Sequence, residues 1–210
     1  MTSERQGANQ LKRLTVLLDV VFALVLWRIF QILPRPGGNM SQWVSVFEML
    51  KANWIEFVYI VLSTLIVIVF WVQNNSLLGK LKRTDAAHTG IMIFQMIFLL
   101  LVLYSISLGI QFEGEPVTKV MESVSTMLVG LCAYAGWRYA LYKGNLIADD
   151  VSADEAQNTL ERNMAEPITA ALTIPFVFVG PLAWELSWFI YPLLKSYLKR
   201  KKVTPKPTLP

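Results

Sequence analysis

The segment Leu14–Leu33, which reads LTVLLDVVFALVLWRIFQIL, decides the fold class of this chain. It runs for about twenty residues, the length that an α-helix needs to cross the hydrocarbon core of a bilayer. It is longer than the apolar region of a secretory signal peptide, and no small-residue cleavage pattern follows it. The segment therefore predicts a transmembrane helix rather than a signal peptide.

The composition of the whole chain indicates an integral membrane protein. Of its 210 residues, 54% are hydrophobic and 16% are charged, whereas roughly 25% of residues are charged in a typical soluble domain. The mean hydropathy is +0.46. These values exclude a soluble enzyme, a disordered tail and a nucleic-acid-binding domain. The net charge of +4 is better explained by membrane topology and contact with anionic lipids than by a nucleic-acid partner.

Residues that carry chemistry are few and scattered. Cys132 is the single cysteine, so no intrachain disulfide forms, and His88 is the single histidine, which excludes a site built from several histidines. No nucleophile lies at a recognisable spacing from a base, so the sequence predicts neither an enzyme nor a bound cofactor. Glu185 lies in an apolar segment and has two candidate partners, Arg138 and Arg162, between which the sequence does not choose.

Further apolar segments complete a predicted all-α membrane domain over residues 14–198. They are Trp54–Trp71, Gly90–Ile110, Val117–Tyr142 and Pro167–Leu194. The last is long for one straight crossing and short for two full ones. Because Gly180 and Pro181 lie near its middle, we interpret it as a hairpin of two helices, with a single kinked helix as the alternative. Residues 1–13 are a polar N-terminal segment, and residues 199–210 are a basic, proline-containing tail.

The distribution of basic residues predicts six transmembrane helices with both termini in the cytoplasm. Three basic clusters flank the apolar segments on one side: Arg5, Lys12 and Arg13; Lys80, Lys82 and Arg83; Lys199–Lys202. The positive-inside rule assigns these clusters to the cytoplasmic face, where they also suit anionic lipids. Termini on one side require an even number of crossings, which six helices satisfy and five do not. The short loops suit a multi-pass protein of a prokaryotic plasma membrane.

The first segment contains charged side chains that a lipid-facing helix would not tolerate. Asp19 and Arg28 lie within it, and such residues are costly unless they face protein or water. Helical spacing assigns to one stripe Leu17, Val20, Leu24, Trp27 or Arg28, and Gln31. This stripe is apolar in its inner half and polar toward its outer end. Such a stripe suits a pore whose apolar constriction gates by dewetting. The alternative is that the stripe reflects ordinary helix packing, which gives the same periodicity.

The string Arg13-Leu-Thr-Val-Leu17-Leu18-Asp19 opens this segment. It resembles the Arg-x-x-x-Phe-Ser-Asp signature in helix one of the transmembrane protein 175 family of potassium channels. Arg13 and Asp19 match the signature, whereas Leu17 and Leu18 replace its Phe and Ser. The order of the later segments is also similar to that family over nearly the whole chain.

The second predicted helix extends the resemblance. Its Tyr59-x-x-x-Ser63 and Phe70-Trp71-x-x-Asn74-Asn75 are similar to the family's Tyr/Ser/Phe-Trp run. That run usually ends in His-His, where this chain has Asn74 and Asn75.

The resemblance implies a homotetrameric channel that is potassium-selective or weakly selective for cations. Helix one of each subunit would line a central pore without a carbonyl filter, and potassium would be the ion that it holds. The family's apolar gate falls on Leu24, with Val20, Trp27, Arg28 and Gln31 along the same pore. A supporting network would hold this helix in place through Arg13, Asp19, Ser63, Trp71 and Asn74.

Arg28 is the main departure from that pattern. At ~8 Å from the axis and an effective dielectric near ~20, each arginine would repel a cation by about 2 kcal/mol. Three outcomes are open: Arg28 turns toward a carboxylate such as Glu48 or Glu56, the pore conducts poorly, or it favours anions. A non-conducting membrane scaffold is the alternative from another functional class.

Overall fold

The computed structural model describes residues 3–33, 45–112 and 115–200, and these residues form an all-α fold, as the sequence predicts. The helices are α1 (Ser3–Ile32), α2 (Val46–Ala52), α3 (Trp54–Leu78), α4 (Ala86–Gln111), α5 (Pro116–Lys143), α6 (Ala153–Asn163), α7 (Ala165–Val177), α8 (Pro181–Ser187) and α9 (Ile190–Arg200). Residues 201–210, most of the predicted tail, lie outside the described part of the chain.

Helix length limits what the structure establishes about membrane crossing. Within the described residues, Glu4–Gln31 and Ala86–Gln111 are long and apolar enough to span a bilayer. By contrast, α7 has 13 residues and α8 has 7, fewer than the roughly 20 that one crossing needs. Six complete crossings therefore remain a prediction.

Helix α1 has two apolar faces, and only one of them is covered by other helices in the described part of the chain. The covered face packs against α3 and α4 and consists of Leu14, Leu18, Phe22, Val25 and Ile29. These residues recur every three or four positions, which aligns them along one side of a helix. Their burial fixes the rotation of α1 about its own axis, so the remaining side chains point away from the subunit.

The polar N-terminal segment predicted for residues 1–13 is helical from Ser3 onward and packs against the α3–α4 loop. The backbone N–H of Thr84 donates to the carbonyl oxygen of Gly7 at 3.2 Å. A Cβ atom at Gly7 would lie 3.0 Å from the carbonyl oxygen of Thr84, so this approach favours glycine. The segment is therefore an N-terminal extension of α1, and its contact with the α3–α4 loop holds it in place.

Small residues let α5 pack tightly between α4 and α7. A Cβ atom at Gly130 would lie 2.7 Å from Cδ of Pro167, so the backbones of α5 and α7 touch at this point. On the other side, Gly136 faces α4, where a Cβ would lie 3.4 Å from Sδ of Met92. Close contact through small residues is how apolar helices associate in membranes.

The last apolar segment reverses direction, as the hairpin interpretation predicts, and is not a single kinked helix, but the second arm consists of two helices, α8 and α9, rather than one. Gly180 has φ = 146°, a left-handed value that glycine adopts without strain, and Pro181 begins α8. Both α8 and α9 contact α7, so the chain reverses direction at this turn.

The basic loop between α3 and α4 pairs with the acidic connection between α5 and α6. The Lys82 N–H donates to the carbonyl oxygen of Leu146, and the Ala148 N–H donates to that of Lys80, both at 2.9 Å. The Lys80 ammonium also lies 2.9 Å from a carboxylate oxygen of Glu155. The start of α1, the α3–α4 loop and the α5–α6 connection therefore lie together and form one polar end of the molecule.

Candidate functional site

The predicted pore stripe forms the uncovered face of α1. Leu17 is 45% exposed, Val20 49%, Leu24 60% and Trp27 64%, opposite the buried stripe that packs on α3 and α4. Gln31 is half-buried near the C-terminal end of the same helix. An apolar face of this kind on a helix with a buried opposite side is a surface for another helix, for lipid or for a pore.

Arg28 lies exposed beside this stripe and contacts its own helix. Its Nη1 donates to Oε1 of Gln31 at 3.0 Å, one helical turn further along. Arg28 and Leu24 also border a groove of about 260 Å³ between α1 and α4, which Tyr104 and Ser107 line from the other side. Gln31 is thus one partner of Arg28, and pairing with a carboxylate such as Glu48 or Glu56 stays a prediction, since the side chain of Glu56 lies outside the described residues.

Two members of the predicted supporting network meet. The indole Nε1 of Trp71 donates to Oδ1 of Asp19 at 2.9 Å, joining α3 to α1. Because an ionised acceptor strengthens a hydrogen bond, this contact restrains the two helices more than a neutral pair would.

Asn74 and Arg13, two further members of that network, make no hydrogen bond to the Trp71–Asp19 pair among the described residues. Asn74 is buried, and its Nδ2 donates to the carbonyl oxygen of Phe70 within α3. Arg13 is exposed on α1 and makes no ion pair with Asp19 in the part of the chain that the structure describes. The side chain of Ser63 lies outside the described residues.

Buried charges between α5 and α8 form a second site, which the sequence did not predict. Lys119 is 6% exposed, and its Nζ lies 3.4 Å from Oε1 of Glu185 and 4.1 Å from the ring centroid of Trp184. Glu185 therefore pairs with Lys119, and neither Arg138 nor Arg162, the two candidates from the sequence, is its partner. Glu122, one turn after Lys119, is 7% exposed.

A hydrogen-bonded triad holds the helices around these charges. The Trp184 indole donates to Oγ of Ser123 at 2.9 Å, and Ser123 shares a 2.8 Å hydrogen bond with Oγ1 of Thr173. All three side chains are buried. The triad joins α8, α5 and α7, so the position of Trp184 beside Lys119 is fixed by neighbouring helices rather than by a loop.

A further buried carboxylate connects α7 to α3. Oε2 of Glu166 accepts a hydrogen bond from Nε2 of Gln73 at 2.8 Å. Its other oxygen, Oε1, is buried and has no hydrogen-bond partner among the described residues. An ionisable group with an unsatisfied oxygen at this depth is costly, which marks it as a functional candidate.

These charged groups line one cavity of about 640 Å³. Its walls come from α3, α4, α5, α8, α9 and the start of α7, and its charged members are Lys119, Glu122, Glu166 and Glu185. The remaining wall is largely apolar and aromatic. These charges come together because of the way the helices are aligned against one another. That alignment cannot be predicted from a single sequence, so the cavity was not predicted.

A third polar cluster caps α4 at the loop end of the subunit. Asp85 accepts from the backbone N–H of His88 at 2.9 Å and from the hydroxyl of Tyr139 at 2.8 Å. Burial raises the pKa of Asp85, but these two hydrogen bonds and the positive charge of Lys143 outweigh burial, and the pKa is lowered overall. Thr84 bonds the ring of His88 through Nδ1 at 2.9 Å. The cluster is a helix cap tied to α5, which is a structural role.

Comparison with known proteins gives a fold but no sequence match. No family model and no curated protein matches the chain. The structure of a lysosomal potassium-selective channel TMEM175 homolog from Chamaesiphon minutus superimposes with a TM-score of 0.71 at 15% identity, covering 92% of this chain and 98% of that one. A variant of the potassium channel MtTMEM175, solved with a Nanobody–MBP fusion protein, gives 0.65 at 17% identity, covering 89% and 90%.

The likeness extends over nearly the full length of both chains, so it describes the fold of the whole chain rather than one shared helix pair. At these identities it establishes architecture and not activity. The chain has the fold of the TMEM175 potassium-channel homologues.

Proposed function

We propose that this chain is one subunit of a multi-pass membrane channel for cations, either potassium-selective or weakly selective. The observation that carries the proposal is the uncovered apolar face of α1 in a subunit with the fold of TMEM175 channel homologues. Those neighbours are ion channels rather than enzymes, which supports a transport function without catalysis.

In a homotetramer, the uncovered face of α1 would line a central pore instead of contacting lipid. Four copies of α1 around an axis would direct Leu17, Val20 and Leu24 toward a common pore. Asp19 and Arg28 flank that face, and in acyl chains each would carry a penalty of several kcal/mol. Assembly around water removes that penalty, which favours a pore over a lipid-facing surface.

Leu24 is the proposed gate. Four leucine side chains around a narrow axis exclude water, and a dry constriction blocks ions. Val20 lies on the inner side of this ring, and Trp27 and Gln31 lie on the outer side. The hydrogen bond from Trp71 to Asp19 would fix the rotation of α1 and hence the direction of the Leu24 side chain.

A second candidate is the same architecture with anions as the permeant species, or a pore that conducts poorly. It is favoured by Arg28, which remains on the exposed side of α1 through its bond to Gln31. Four guanidinium groups near the pore axis would oppose cation entry and attract anions.

Both termini are proposed to be cytoplasmic, with six helices crossing a prokaryotic plasma membrane. The start of α1, the α3–α4 loop and the α5–α6 connection lie together, which supports a common side for these segments. Their basic residues, with Lys199–Lys202, would contact anionic lipids there.

Potassium flux into liposomes that contain the purified protein tests the proposal. We expect flux in the natural protein and faster flux in Leu24→Ala, because the smaller side chain opens the constriction. Leu172→Ala is the matched control, since Leu172 is exposed on α7 and not on α1. Replacing potassium with a large organic cation at constant chloride separates cation from anion conduction. Absence of flux in both the natural protein and Leu24→Ala would favour a scaffold and contradict the proposal.

A further inference from the structure

The cavity of about 640 Å³ occupies a gap between helices that do not pack extensively on each other. In the part of the chain that the structure describes, α3 packs on α1 and α4, whereas α8 packs on α7. The cavity lies between α3 on one side and α8 and α9 on the other. Along α5 its lining runs from Lys119 to Thr126, a rise of about 10 Å at ~1.5 Å per residue. The space therefore extends along the helices for about two turns.

The charged side chains of the cavity wall are compensated by groups of the same subunit. Lys119 forms an ion pair with Glu185 at 3.4 Å, and its positive charge also acts on Glu122. Glu166 accepts a hydrogen bond from a glutamine of α3 and is attracted by the positive charge of Lys195. The other carboxylate oxygen of Glu166 is too deeply buried to meet an occupant. The occupant that suits this wall is therefore uncharged.

The mouth of the cavity is apolar. Four of its lining residues are exposed hydrophobic side chains: Leu65 and Val69 on α3, Leu186 on α8 and Phe189 just after α8. They belong to two rows of exposed apolar residues, in which successive members are three or four positions apart and share one side of a helix. The rows are Val58, Val61, Leu65, Val69 and Val72 on α3, and Leu182, Leu186, Phe189 and Leu193 along α8 and α9. In a membrane protein such surfaces lie against acyl chains, so hydrocarbon rather than water surrounds the mouth.

Beyond the mouth, the cavity has an apolar inner wall. We define the inner wall as Phe70, Ile106, Ile110 and Trp188, which line the cavity and are buried or half-buried. Water occupies a cavity only where it finds several polar partners, and apolar cavities stay dry. Wall atoms that face an empty space lose van der Waals contacts. A hydrocarbon chain restores these contacts, and it loses no hydration because lipid is as apolar as the wall.

We propose that this cavity binds one acyl chain of a bilayer phospholipid, which enters between α3 and α8. The chain passes Val69 and Leu186 at the mouth and packs along the inner wall, while the headgroup stays outside the cavity at the membrane surface. The bound chain thereby connects α3 to α8 and α9, which lack extensive contact of their own. The proposal rests on the membrane location in the proposed function and not on the pore, because α1 contributes no lining residue.

Photo-crosslinking of the full chain in phosphatidylcholine nanodiscs tests this site. The probe is a phosphatidylcholine with a diazirine at the end of one acyl chain, and peptide mass spectrometry locates its adducts. We expect adducts on the inner wall as well as on the exposed apolar rows. Adducts confined to the exposed rows would overturn the proposal, and this is the result that an empty cavity, or one filled by a second copy of the chain, would give.

A tryptophan at the mouth should exclude the acyl chain. Val69→Trp is expected to lower the inner-wall adducts by at least about tenfold, because a chain that still entered would overpack the cavity. Val72→Trp is the matched control, since Val72 is exposed on the same helix but lies away from the cavity lining. The control should leave the inner-wall adducts unchanged. Thermal unfolding establishes that both variants are folded.

A second pair of variants tests the mouth from the opposite side. Leu186→Trp should also lower the inner-wall adducts, and Leu182→Trp, at an exposed position of α8 away from the lining, should not. If Val69→Trp does not fold, the Leu186→Trp result decides alone. Inner-wall adducts that persist at the natural level in the folded mouth variants, or that fall equally in mouth and control variants, would overturn the proposal.

Discussion

The indole Nε1 of Trp71 lies 2.9 Å from Oδ1 of Asp19, and this hydrogen bond is a direct polar link between α1 and α3. Burial of the apolar side of α1 against α3 and α4 fixes the rotation of the helix. A directional bond to a carboxylate restrains the same rotation further. The pair therefore helps to hold the uncovered residues of α1 in the direction in which they face.

Trp71→Phe should destabilise the protein by about 1–2 kcal/mol, because the aromatic ring is retained and the donor to a charged acceptor is lost. The measurement is thermal unfolding in detergent. Trp54→Phe is the control, since Trp54 is another exposed tryptophan on α3. In a double-mutant cycle, Asp19→Ala should add little to Trp71→Phe; full additivity would mean that the bond contributes nothing.

Gly130→Ala should destabilise the contact between α5 and α7 by about 1–3 kcal/mol, because the new Cβ overlaps the ring of a buried proline. It would lie 2.7 Å from Cδ and 2.9 Å from N of Pro167. Gly90→Ala is the matched control, because nothing lies within 4 Å of the position that its new Cβ atom would take in α4. That control should be neutral or slightly stabilising. Equal unfolding temperatures for the two variants would argue against the tight α5–α7 packing.

Acid should weaken the cap of α4. The pKa of Asp85 is lowered in the folded protein, so its contribution to stability is present above the unfolded pKa and is lost as pH falls through the folded pKa. Tyr139→Phe removes one of the two hydrogen bonds that lower this pKa. We expect the acid-dependent loss of stability to be smaller in Tyr139→Phe and to be complete at higher pH than in the natural protein, measured by unfolding across an acid series. Tyr142→Phe, at an exposed position, should not shift the profile.

Arg28→Gln should raise potassium flux by at least about tenfold if the channel conducts cations, because four repulsive charges leave the pore mouth. Glutamine retains a donor for Gln31 and so preserves the local contact. Arg138→Gln removes an exposed arginine from α5 and should have no effect. Unchanged potassium flux would mean that Arg28 does not face the permeation path, and increased potassium flux with reduced chloride flux would favour the anion alternative for the natural protein.

The sequence predicted those features that depend on neighbouring residues along the chain. The glycine–proline pair at Gly180 and Pro181 predicted the reversal between α7 and α8, since backbone conformation there depends on those two residues. The periodicity of α1 predicted the stripe through Leu24. It did not predict which side the subunit covers, because the opposite stripe through Phe22 is equally apolar.

The second site was not predictable because its partners are distant in sequence. Lys119 meets Glu185, and Glu166 meets Gln73, only after the four helices α3, α5, α7 and α8 have packed. Each of these residues alone is unremarkable in a sequence. Their shared cavity depends on helix register, which is set by contacts such as that of Gly130 with Pro167.

Particle symmetry by electron microscopy in nanodiscs tests the central claim most directly, because every pore argument requires α1 helices from several subunits to meet. The account predicts a fourfold assembly with the four α1 helices around the axis and the Leu24 side chains closing it. A monomer or dimer, or an assembly whose α1 helices face acyl chains with their Leu24 side chains far from any axis, would contradict it.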